Sequence, residues 1–168
     1  MLSKIVSGLN QILDISGKLL AILPLLLILV QFSVVLMVYV FSNGNIQLQE
    51  SLQYINAIMF LGGAGYTALK DEHVRVDLFY SKFSGRQKAC VNLIGTLLLL
   101  CPFLILFWIS SVPYVFQSWH ILEGSVEASG LPFIYILKST LLLFAGTMTL
   151  HALSAIISNA RILYGNKQ

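Results

Sequence analysis

The sequence predicts an all-α integral membrane protein: four transmembrane helices preceded by an amphipathic helix, with both termini cytoplasmic. Three observations carry this. First, 57% of the 168 residues are hydrophobic and only 10% are charged, against about 25% charged in a soluble domain. Second, four apolar segments approach or exceed the roughly 20 residues that cross a bilayer. Third, the basic residues fall on one side of those segments.

The elements follow in order. Leu2, Ile5, Val6, Leu9, Ile12 and Leu13 recur at helical spacing, with Lys4, Asn10, Gln11 and Asp14 between them. This is an amphipathic helix, expected on the membrane surface and feeding the first span. That span, 19–41, holds 23 uncharged residues. A signal-peptide core has about 7–15, so the segment is expected to be retained. Its Pro24 lies near the start, where proline is tolerated, and Gln31 is its one strongly polar side chain.

The second span, 52–69, contains Gln53 and Asn56, then Gly62, Gly63, Ala64 and Gly65. Small residues let helix backbones approach closely, so this span should pack against protein rather than lipid. The third span, 89–112, carries Pro102, which should kink it. The fourth is 133–157. There is no internal repeat or linker, so residues 1–168 read as one membrane domain.

Charge sets the orientation. Lys4 and Lys18 precede the first span. Lys70, Arg75, Lys82, Arg86 and Lys88 lie between the second and third, and Arg161 and Lys167 follow the fourth. The connections 42–51 and 113–132 carry no Lys or Arg, and Lys138 lies just inside the fourth span. The positive-inside rule therefore places the termini and the central connection in the cytoplasm.

Most chemistry is excluded by pattern. Cys90 and Cys101 are eleven residues apart on one expected helix, about 16 Å along its axis. That is too far for a disulfide, and they read as small buried apolar residues. Of His73, His120 and His151, only His151 falls within a span, so no pair of axial haem ligands is formed. No HExxH or CxxC occurs, and "LGGAG" lacks a P-loop lysine. His120, Glu123 and Ser125 are near in sequence, but triads are defined by geometry, so they read as loop organisers. No run of basic and aromatic residues suggests nucleic acid. No Asp or Glu lies deep in a span, which argues against a free-standing proton-coupled exporter. Lys138 can snorkel along its stem. A small four-helix transporter acting as a homo-oligomer remains the alternative.

The stretch "KDEHVRVDL" (70–78) stands out against this background. In an extended segment His73, Arg75 and Asp77 share one face. An Arg can pair bidentately with a carboxylate and still donate elsewhere. The group would pin the second span to the third, or to a partner, at the cytoplasmic surface. The competing reading is a solvated charged loop. Phe83, Phe103, Phe107, Trp108 and Tyr114 suit lipid or a partner helix, and Tyr80, Tyr114 and Trp119 suit the membrane interface.

The stretch 66–95, with His73, Arg75 and Asp77 as a His-x-Arg-x-Asp signature, resembles the small membrane subunit of tripartite ATP-independent periplasmic (TRAP) transporters, the DctQ-like family. "SWHILEGSVEASGLPFIYILKS" is similar to that family's outer-loop pattern through Trp119, Glu123, Ser125, Gly130, Leu131 and Pro132; Glu127 with Ser129 offers a second Glu-x-Ser. Glu50, before the second span, matches an acidic residue common there. The resemblance covers the chain from Leu19 onward.

It implies a non-enzymatic scaffold subunit in a bacterial or archaeal cytoplasmic membrane, without a cofactor or metal. Its partners would be a large multi-span membrane subunit and a periplasmic substrate-binding protein, importing organic acids or related solutes on a sodium gradient. His73, Arg75, Asp77 and Glu50 would serve the subunit interface or structure. Glu123, Ser125 and Glu127 would dock the binding protein, whose basic residues they could meet.

Overall fold

The computed structural model describes residues 2–70 and 83–164. All regular structure among them is helical: α1 (Leu2–Leu20), α2 (Leu23–Tyr39), α3 (Ile46–Leu69), α4 (Gly85–Gly95), a π-helical stretch (Thr96–Leu100), α5 (Cys101–His120) and α6 (Ile134–Tyr164). Three stretches are long and apolar enough to cross a membrane: Ser3–Tyr39, Gly85–His120 and Ile134–Tyr164. The 24-residue α3 falls short of that apolarity because Gln53, Asn56 and the glycines dilute it.

Each boundary has a local cause. Pro24 sits in the first turn of α2, and the chain turns at Ala21–Ile22 just ahead of it. Proline offers no N–H to the previous turn, so the helix ladder is broken there. Asn45 caps α3, its side chain accepting from the Leu48 N–H at 3.0 Å. Ser84 and Gln87 form a reciprocal capping box that starts α4. The kink expected at Pro102 falls where the helix is irregular. Ahead of it the helix widens into the π-helical stretch, and the Cys101 N–H reaches back five residues to the Thr96 carbonyl.

α6 lies at the centre, packed on α3, α5, α4 and α1. Its buried residues are Thr140, Ala145, Thr147, Ala152 and Ser154, small side chains that bring helices close. The Thr140 and Thr147 hydroxyls donate to the carbonyls of Leu137 and Phe144, so they need no partner from another helix. Gly65 of α3 fits this surface closely: a β-carbon there would sit 2.8 Å from the Thr147 carbonyl oxygen. Gly62 likewise faces Leu143 and Leu20. The small cluster of α3 is thus largely consumed inside the chain. α5 joins α6 through the Phe103, Phe107 and Phe144 rings and through a Trp108 Nε1–H bond to Thr149 at 3.1 Å. Two helices of this chain therefore engage aromatic residues expected at lipid or a partner.

The amphipathic N-terminal helix is present, and its second half runs antiparallel along the end of α3. Asp14 pairs with Lys70 at 2.9 Å and with Lys18 at 2.5 Å, Gly17 lies on Tyr66, and Leu20 meets Gly62. Leu13 is fully buried, and Asn10 accepts from the Ser154 hydroxyl at 2.5 Å. The helix is part of the bundle rather than an appendage. α2, by contrast, rests chiefly on α3 and leaves most of its surface open. Cys90 is exposed and Cys101 half-buried, not the two buried thiols expected, because α4 turns Cys90 outward.

Candidate functional site

At one end of the bundle, the connection from α5 to α6 is clamped onto the start of α3. α5 stops through a Schellman arrangement: the Leu122 N–H reaches the Trp119 carbonyl at 3.2 Å, and the Glu123 N–H reaches that of Ser118 at 3.0 Å. Leu122 itself takes φ 47°, the left-handed conformation usually given to glycine.

That turn sends Glu123 toward α6, where Lys138 binds its carboxylate at 2.5 Å. Lys138 also lies 4.1 Å from the centre of the Tyr114 ring. The Lys138 ammonium holds the Glu123 carboxyl below its usual range. The Glu123 backbone is used as well, its carbonyl accepting from the Ile134 N–H at 3.0 Å as α6 begins.

The second clamp comes from α3. The Glu50 carboxylate accepts from the Ser125 hydroxyl with one oxygen and from the Leu131 N–H, at 2.6 Å, with the other. A carboxylate taking two donors ties together segments 75 and 81 residues away. The Ser125 oxygen also accepts from the Glu127 N–H at 3.1 Å, and the Ser125 N–H bonds the Leu131 carbonyl at 3.2 Å. Gly130 is held against this pair: a β-carbon on it would sit 2.5 Å from Glu50 Oε1. Trp119 packs on Tyr135 with centroids 4.7 Å apart and donates to Ser139 at 2.8 Å.

The residues singled out by sequence divide accordingly. Glu50, Ser125, Gly130 and Leu131 come together. Glu123 stands nearby with Lys138, and the Glu127 side chain is exposed. His73, Arg75 and Asp77 lie outside the described residues. The partnership of Lys138 with Glu123 was not foreseen, and nothing in the sequence marks it except two opposite charges flanking one loop. Among the described residues no group of three His, Cys, Asp or Glu side chains could hold a metal ion.

The chain matches a protein family described as "Tripartite ATP-independent periplasmic transporters, DctQ component" over residues 27–162. The chain belongs to the DctQ family. No curated protein and no solved structure matches it. As a DctQ component it is part of a transporter in a membrane, consistent with a chain that has no enzymatic activity. The match begins within α2 and runs into α6, so it includes both clamps of the DctQ loop.

Proposed function

We propose that this DctQ-family chain is the fixed scaffold subunit of a sodium-driven TRAP importer for organic acids or related solutes. It would join a large membrane subunit and receive a periplasmic binding protein. α3 would be the fourth span, and both termini would be cytoplasmic, in line with the one-sided distribution of basic residues. The clamped loop end would then face the periplasm.

The family match over residues 27–162 carries this reading. The placement of carboxylates supports a scaffold rather than a carrier. Asp14 is tied to Lys70 at the end of α3, Glu50 is in the second turn of that helix, and Glu123 and Glu127 are in the connection. A carrier moving protons or binding a charged solute places ionisable groups at mid-depth. Glu50, with Ser125, serves the chain's own structure in this scheme. Glu127, exposed beside the fully exposed Val126, is the acid best placed to meet a docking protein. The His73, Arg75 and Asp77 group would pin the cytoplasmic surface.

The test is purification of the tagged chain from its native membrane in mild detergent. A larger multi-span protein in fixed stoichiometry is expected. A pure homo-oligomer that binds solute by itself would overturn the reading in favour of a free-standing transporter.

A further inference from the structure

Among the described residues, α3 packs against α1, α2 and α6 and leaves one row exposed. Between Leu48 and Leu69 its exposed residues are Gln49, Gln53, Asn56 and Phe60. The steps of four, three and four keep them on one seam, the spacing by which one helix packs along another. Gly63 continues the row, and a β-carbon there would meet nothing within 4 Å. Asn56 is the eleventh of the 24 residues of α3, near its midpoint. None of the three amide side chains hydrogen-bonds another described residue.

Such a seam is poorly suited to lipid. Hydrocarbon offers an amide no hydrogen-bond partner, so the polar group keeps its full desolvation cost. The open surface of α5 shows the contrast, with Ile105, Leu106 and Ile109 toward the outside. α2, which packs on α3, carries a further exposed amide, Gln31, beside its least exposed row of Leu27, Val30 and Val34.

We propose that this seam receives a transmembrane helix of a different chain, with hydrogen-bonding side chains opposite Gln53 and Asn56 and small residues opposite Phe60. A second copy fits less well. Symmetric parallel pairing would set Phe60 against Phe60, bulk on bulk, and so hold apart the backbones that facing Gly63 residues would otherwise let approach. A different helix can offset both residues. The inference rests on the subunit reading above, and it assigns the contact to the middle of α3 rather than to the segment around Arg75.

A benzophenone amino acid placed at Gln53, Asn56 or Phe60 tests it, in native membranes that express the complete transporter. Ile28 of α2 and Ile105 of α5, both widely exposed, serve as controls. Irradiation should join the three seam positions to one membrane helix of one other protein, identified by mapping the linked peptide, while the controls give no protein adduct. Adducts only to a second copy, or equal adducts from the controls, would overturn the proposal.

The double substitution Gln53→Leu with Asn56→Leu should lower the recovered partner about tenfold, the loss expected for two interhelical amide contacts, with the chain's own membrane level unchanged. Undiminished recovery would also overturn it. A large partner that co-purifies but links elsewhere would remove the seam and leave the subunit reading standing. No partner at all would remove both.

Discussion

Gly17 of α1 lies directly on the ring of Tyr66 of α3, so close that any β-carbon on Gly17 would overlap the ring. Tyr66 in turn lies beneath Lys70, whose ammonium is 5.3 Å from the ring centre, and Lys70 pairs with Asp14 one turn before Gly17. Gly17→Ala should therefore cost about 1–3 kcal/mol, as overpacking does. Gly8, with nothing within 4 Å of its β-position, makes the control: Gly8→Ala should gain about 0.5–1 kcal/mol of helix stability. Thermal unfolding in detergent reads both. Equal effects of the two substitutions would show that α1 is not seated as described.

The left-handed Leu122 makes a stability gain available. A side chain in that conformation costs about 1–2 kcal/mol, and its side chain is exposed, so little packing is lost on removing it. Leu122→Gly should raise the midpoint of thermal unfolding. A fall would mean that Leu122 has a contact outside this chain.

The clamp at Glu50 predicts coupling. Glu50→Ala and Ser125→Ala should each destabilise the loop end by about 1–3 kcal/mol, because each leaves polar groups without a partner. The double variant should cost less than the sum of the two. Limited proteolysis within residues 121–133 follows the effect. Strict additivity would show that the two residues act independently.

Acid should act on the second clamp. The Lys138 ammonium lowers the Glu123 carboxyl from its ordinary 4.5. A depressed carboxylate contributes stability that is present above its unfolded-state value and lost as pH falls through the lower folded-state value. Unfolding midpoints should thus show no contribution from this pair to pH dependence near neutrality and a decline below about pH 4.5. Glu123→Gln should shrink that decline. An unchanged acid limb would assign it to other carboxylates.

Much of the helical fold was legible because apolar length and helical periodicity are local properties. The amphipathic pattern of α1 is plain in Leu2 to Asp14, and Pro102 by itself marks where the third long helix is irregular. What that pattern does not contain is where α1 goes. Its docking depends on Gly17 meeting Tyr66 and on Asn10 meeting Ser154, 144 residues away. Similarly, the glycines of α3 announce close packing, but only the fold shows that Gly62 and Gly65 are used within the chain while Gly63 stays open. At the loop end, Glu50 was legible through family resemblance alone, while Ser125 also stood out as a loop organiser near His120 and Glu123. The Glu123–Lys138 pair was hidden because its geometry depends on a left-handed leucine, an unusual choice that residue type does not signal.

α2 and α3 run side by side under unlike constraints. α2 rests chiefly on one neighbour and shows the outside a surface mostly of Leu, Ile, Val and Phe, interrupted by Gln31 and Ser33. Most of its exposed positions demand only a broad chemical character, so exchanging Leu, Ile and Val among them should leave the fold intact. α3 is held to specific sizes position by position, since Gly65 has no space for another atom against the Thr147 backbone and a larger residue at Gly62 must push aside the tips of Leu143 and Leu20. A saturation library across both helices would therefore be uneven: wide tolerance along α2, and along α3 a sharp change from Gly65, which admits nothing, through Gly62, which admits little, to Gly63, which this chain by itself leaves free.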